Sequence, residues 1–135
     1  MTATITTAFA TLRRDGFIAR SSFTCCQGCA WSEIEKLNNK RHAAVFFTRQ
    51  DARTLRAHGR VYVAFGSTKA SATDAERAEI GARAKAALEG AGCVVVWSGD
   101  ADERLLVYRD AETYRTHALK RLGGEVEAPA TRRRR

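Results

Sequence analysis

The sequence predicts an α/β (α+β) fold: a single small domain with a mixed sheet of four to five strands and helices packed on it. A C-terminal β-hairpin followed by a helix is expected to close it. Three observations carry this expectation. Short apolar runs of strand length alternate with longer stretches of 3.6-residue period, which sets helices between strands in the first half. The run Cys93–Trp97, the turn-forming Ser98–Asp102 and the second run Arg104–Tyr108 read as a hairpin. Two helix starts, Thr24 with Gln27 and Thr73 with Glu76, have the spacing of a capping box, in which each partner satisfies an orphan amide of the other.

Taken in order, Ile5, Ala8, Phe9 and Leu12 form the apolar stripe of a short helix stopped by Asp15-Gly16. Phe17–Phe23 reads as a strand with Phe17, Ala19, Ser21 and Phe23 on one face. A helix capped by Thr24 follows to about Leu37, its apolar face holding Cys26, Ala30, Ile34 and Leu37. Ala43–Thr48 is a buried-type strand, and Gln50–Ala57 is helical until Gly59 breaks it. Arg60–Phe65 is a strand closed by Gly66-Ser67. Ser71–Ala91 is the clearest helix, striped by Ile80, Ala84, Ala87, Leu88 and Ala91. Beyond the hairpin, a helix from Ala111 to Leu122 completes a domain over residues 1–122, leaving 123–135 as a flexible basic tail.

The totals exclude several classes. At 135 residues, 44% hydrophobic and 28% charged, the chain is large enough for a real core without staples and polar enough to be soluble. No apolar run nears the roughly 18–20 residues that span a bilayer, so no membrane partner is expected. Met1–Ala10 lacks the basic start and apolar centre of a secretory signal, which points to the cytoplasm and to reduced thiols. The net charge of +8 is concentrated in residues 1–60, with ten Lys/Arg against four Asp/Glu, and in Arg132, Arg133, Arg134 and Arg135.

The densest chemical feature is Thr24-Cys25-Cys26-Gln27-Gly28-Cys29, three of four cysteines within five residues. A thiol-redox reading uses Cys26 and Cys29 as a C-x-x-C pair at a helix N-terminus, where the dipole favours thiolate. Against it, the only proline is Pro129, so the cis-proline of a thioredoxin-like site is missing. A zinc reading uses Cys25, Cys26 and Cys29 with a fourth ligand from Cys93, His42 or His58. Neighbouring helical cysteines diverge by about 100°, so Cys25 and Cys26 do not easily face one ion. A structural reading puts Cys26 in the core stripe with Cys29 packed one turn on and Cys25 as the odd exposed thiol, while Cys93 opens a core strand. The cluster is expected to be chiefly structural.

Arg49, Arg53, Arg56 and Arg60 recur at helical spacing, although Gly59 ends any helix before Arg60. This stripe and the terminal arginines are the candidate contacts for a protein partner or for nonspecific nucleic acid. No aromatic residue interleaves to stack bases, and a plain solvated face explains the same pattern. His42, His58 and His117 are scattered and lack triad partners; Gly66-Ser67-Thr68-Lys69 lacks the earlier glycines of a phosphate loop. Asp100, Asp102 and Glu103 sit in the hairpin turn, where carboxylates satisfy backbone amides.

Phe23-x-Cys25-Cys26-Gln27-x-Cys29, Phe46-Phe47-x-x-Gln50-Asp51, Tyr62-x-Ala64-Phe65-Gly66 and Gly92-x-x-Val95-x-Trp97-x-Gly99-Asp100 together resemble an uncharacterised bacterial family, a domain of unknown function. The resemblance spans about residues 8–108 and implies a small cytosolic protein, bacterial or phage-borne, with no established activity. Ala30 stands where members carry glycine, and Thr48-Arg49 where they often carry histidine, which weakens a metal site. Gln50 and Asp51 form a possible polar site with a structural alternative: Asp51 caps the following helix and Gln50 bonds a neighbouring loop. The expectation is a non-enzymatic domain whose basic N-terminal half binds a partner, with thiol-redox, zinc-binding and nonspecific nucleic-acid-binding domains as alternatives.

Overall fold

The computed structural model describes residues 3–21, 27–36, 42–69 and 71–124. Among these residues five helices and five strands follow in the order α1 (Ala3–Arg14), β1 (Ile18–Arg20), α2 (Gln27–Lys36), β2 (Ala43–Phe46), α3 (Arg49–His58), β3 (Arg60–Ser67), α4 (Asp74–Gly90), β4 (Val94–Val96), β5 (Leu105–Tyr108) and α5 (Ala111–Gly124). The strands make one mixed sheet in the order β1-β2-β3-β5-β4. Only β1 and β2 are parallel, as the intervening α2 crossover requires; the other pairs are antiparallel.

Period-two alternation sorts the strand residues onto two faces. Phe17 and Ala19, Val45 and Phe47, Val61, Val63 and Phe65, Leu105 and Val107, and Val95 gather in the larger core. There they meet Ile5, Ala8, Phe9 and Leu12 of α1, Ala52 and Leu55 of α3, and Ala84 and Leu88 of α4. The stripe expected of α1 is thus the buried one. Complete burial of Phe9 and Phe17 contributes roughly 1.5–3 kcal/mol for each ring. The opposite face carries Ile18, Ala44, Phe46 and Ala64, covered by Ala30, Ile34 and Trp31 of α2. That cover is incomplete: Tyr62 and Val96 remain 46% exposed.

Local chemistry explains the helix limits. Thr73 caps α4 with the capping box expected from its spacing to Glu76. For α3 the cap is Thr48, not Asp51. β2 runs directly into Thr48, whose hydroxyl accepts the Asp51 amide at 3.2 Å while the Asp51 carboxylate accepts the Thr48 amide at 3.1 Å. Asp51 is therefore the third helical residue of the box. Gly59 ends α3 at φ 74, a left-handed conformation costly for other residues, and sends Arg60 into β3. β1 spans Ile18–Arg20, the residues paired with β2, and of the expected Phe17–Phe23 the residues Ser22 and Phe23 lie outside the described ones. The helix cap expected at Thr24 lies outside the described residues. The last helix includes Gly123 and Gly124, two residues past the expected domain boundary.

Candidate functional site

α2 turns Ala30 and Ile34 into the smaller core, as its stripe predicts. Cys29, one position earlier and so about 100° round the helix, is exposed rather than packed in the core. Cys25 and Cys26 lie outside the described residues. Cys93 is 5% exposed in the larger core, on the other side of the sheet from the residues α2 covers. The structure therefore places Cys93 and Cys29 on opposite sides of the sheet. Burial pushes the Cys93 thiol above its ordinary range, partly offset by a hydrogen bond from Thr4. Metal binding and disulfide exchange use the thiolate, which burial of this kind disfavours. His42 sits 3.0 Å from the Thr68 hydroxyl, and His58 is exposed in the last turn of α3. Among the described residues no group of three His, Cys, Asp or Glu side chains is placed to hold a metal ion.

The arginines behave as their spacing predicts up to the helix end. Ala52 and Leu55 bury the inner side of α3, and Arg49, Arg53 and Arg56 stand exposed on the outer side. Neither Arg53 nor Arg56 has a carboxylate partner among the described residues. Arg60 is half-buried on β3 and leaves the stripe. The helix beneath the arginines is capped at both ends, by the Thr48–Asp51 box and by Gly59. Gln50 is exposed and makes none of the loop bonds expected of it among the described residues. Asp51 does more than close the capping box. Its second oxygen lies 3.5 Å from the Arg104 guanidinium, which stacks 4.8 Å over the Tyr62 ring.

That contact leads to a feature the sequence did not reveal. A groove of about 230 Å³ opens between β3, the N-terminal part of α4 and the turn before β5, lined by Trp31, Ala64, Phe65, Arg77, Asp102 and Arg104 among others. Trp31 packs edge-on against Phe46, with centroids 5.1 Å apart, and lies over Gly66, where a Cβ would fall 2.7 Å from its ring. Only glycine leaves room for the indole at this position. Opposite, Arg77 binds Asp102 at 3.1 Å and Asp74 beside it. The Asp102 hydrogen bond, then that of Asp74, raises the guanidinium pKa still further, so the arginine stays charged. The turn is held by the Trp97 indole N–H, which donates to the carbonyls of Asp100 and Glu103 at 3.1 Å each. Of its carboxylates Asp100 accepts the Asp102 amide at 2.8 Å, as expected for a turn, whereas Asp102 pairs with Arg77 and Glu103 accepts from the Ser98 hydroxyl. No spacing rule relates Trp31, Tyr62, Arg77 and Arg104, since four different elements supply them.

A profile for a domain of unknown function, DUF6891, matches residues 2–113. The chain belongs to the DUF6891 family. No curated protein and no solved structure matches the sequence. The DUF6891 match runs from α1 into the start of α5 and takes in the cysteine cluster, the arginine ridge and every groove residue. The four terminal arginines fall outside it. No helix among the described residues is long and apolar enough to cross a membrane.

Proposed function

We propose that this DUF6891 domain is a non-catalytic binding module that docks an acidic protein surface on the outer face of α3, with its cysteines structural. The observation that carries the reading is the pair Arg53 and Arg56, exposed one turn apart on a doubly capped helix with no carboxylate partner among the described residues. Exposed cations without partners attract an anionic surface over about a Debye length and fix its register on contact. An acidic protein fits better than single-stranded nucleic acid, because no aromatic side chain stands among the arginines to stack a base. Burial of the Cys93 side chain in the larger core supports a structural use for that cysteine. The domain is read as cytosolic, where its thiols stay reduced, and as bacterial or phage-borne by family.

The test is binding of fluorescein-labelled polyglutamate, and of a labelled DNA duplex, measured by anisotropy at several salt concentrations. The full chain, the double variant Arg53→Ala/Arg56→Ala and a chain ending at Thr131 are compared. Salt-sensitive polyglutamate binding that survives loss of the tail and weakens about 2- to 30-fold in the double variant supports the reading, at 0.2–1 kcal/mol per exposed pair. Binding that vanishes with the tail and ignores the double variant overturns it, as does a clear preference for the duplex.

A further inference from the structure

We propose that the groove beside Trp31 receives an extended peptide segment of another polypeptide, which adds as a short strand to the half of β3 that β5 leaves uncovered. β3 is paired in two offset halves. Its register with β5 covers Arg60–Val63 and stops at Val63 opposite Leu105. Its register with β2 starts at Ala64 opposite Phe46 and runs to Ser67 opposite Ala43. From Ala64 onward β2 flanks one edge of the strand and β5 no longer flanks the other, where Ala64 and Phe65 line the groove.

Two backbone hydrogen bonds fix which main-chain groups point there. The Arg109 amide donates to the Gly59 carbonyl at 2.9 Å on the β5 side, and the Thr68 amide donates to the His42 carbonyl at 2.8 Å on the β2 side. In an antiparallel ladder the N–H and C=O of one residue point the same way, and the direction alternates along the strand. Residues 59, 61 and 63 therefore face β5, and 64, 66 and 68 face β2. By the same alternation, Phe65 and Ser67 direct their N–H and C=O toward the side where β5 has ended. The ladder cannot continue onto the turn. Glu103 stands opposite Phe65 by register, but its amide donates to Asp100 and its carbonyl already accepts from Trp97. No backbone bond joins Phe65 or Ser67 to residues 101–104 among the described residues.

The walls select the chemistry of the occupant. Arg77 is neutralised by Asp74 and Asp102, Arg104 by Asp51, and Glu103 bonds Ser98. A small charged ligand would have to break these pairs. The unused capacity is main-chain donors and acceptors at strand spacing, which match an extended backbone rather than an ion. Along such a strand, one side chain would face Trp31 and the next would face Arg77. The matching segment is uncharged, with an apolar side chain seated on the indole.

The experiment pans a phage-displayed library of random heptapeptides on the full chain. Ala101→Trp, which plugs the groove from an exposed turn, serves as the counter-target. Selected peptides are then resynthesised with N-methyl groups on alternate residues in each of the two registers. Amide hydrogen exchange of Phe65 and Ser67 is followed with and without peptide. Expected are peptides that lose at least tenfold in affinity toward the Ala101→Trp variant and on N-methylation in one register only. Phe65 and Ser67 amides should exchange fast in the unliganded protein and slow at least tenfold on binding. Peptides that bind both proteins alike, no enrichment over the variant, or amides already protected without peptide would overturn the proposal. Because none of these readouts involves Arg53 or Arg56, failure here leaves the reading of α3 untouched.

Discussion

Gly81 gives the sharpest test of how the groove wall is held. It lies in the middle of α4, where alanine normally adds about 1 kcal/mol by restricting the unfolded chain and favouring the helix. Here a Cβ would stand 2.8 Å from two ring carbons of Phe65 and 2.9 Å from a ring carbon of Trp97. Ordinary carbon contacts sit at about 3.5–4.0 Å, so the ring pair must retreat by roughly 0.7 Å. The two rings pack edge-to-face at 5.4 Å, and Trp97 is pinned by two hydrogen bonds, so neither yields freely. Overpacking of this kind costs about 1–3 kcal/mol, which outweighs the helix gain. Gly81→Ala should therefore destabilise by about 1 kcal/mol net, lowering the thermal midpoint by roughly 3–5 °C for a chain of this size. Gly90, at the end of the same helix, meets nothing within 4 Å, and Gly90→Ala should be neutral or stabilising. Urea unfolding followed by circular dichroism compares the three proteins. A Gly81→Ala variant more stable than the parent by about 1 kcal/mol would refute the contact of the aromatic pair with α4.

The remaining expectations concern caps and titrations. Thr48→Ala should cost about 1–2 kcal/mol in thermal unfolding because a nearly inaccessible cap hydroxyl is lost, and a neutral result would remove the capping box from the account. In native alkylation resolved by peptide mass spectrometry, Cys29 should react well before Cys93; the reverse order would contradict their placement. Because burial raises the Cys93 pKa, its contribution to stability is complete below the unfolded thiol value of about 8.5 and is lost as pH rises through the folded value. Cys93→Ala should flatten that alkaline decline in urea unfolding. Asp110 behaves oppositely: hydrogen bonds from Thr113, side chain first and backbone second, lower its pKa. Its stabilisation of the α5 start is present above the unfolded value of about 3.9 and fades as pH falls through the folded one. NMR shifts of Tyr114 should move over that acidic range in the parent protein and stay still in Asp110→Asn.

Where periodicity decided an element, the sequence was a sound guide. The α1 stripe, the Thr73–Glu76 box and the hairpin of β4 and β5 each follow from local pattern alone. Errors arose where tertiary partners choose between local options. Thr48 rather than Asp51 caps α3 because β2 delivers the chain to that residue, and Cys29 faces outward because Ala30 and Ile34 already fill the contact with the sheet. The arginine ridge was legible, being a property of one helix. The groove was not, because Trp31, Tyr62, Arg77 and Arg104 come together only through strand order and register. Gly66 was a clue: a glycine inside a strand marks a close approach, yet nothing in the sequence names the indole that approaches.

The split pairing of β3 also has a consequence for synthesis of the chain. As β3 leaves the ribosome, β2 is already available to pair with Ala64–Ser67, but the partner of Arg60–Val63 has not yet been made. About forty residues, including all of α4, separate Val63 from Leu105, so at ordinary elongation rates that edge waits roughly 2–8 s. During this interval Val61 and Val63 lie on a strand that lacks its second neighbour, and the larger core still lacks α4. An unpaired strand edge beside exposed apolar surface favours aggregation of the nascent chain. Synonymous codon changes that slow translation between Gly66 and Leu105 should lower soluble yield without altering the finished protein.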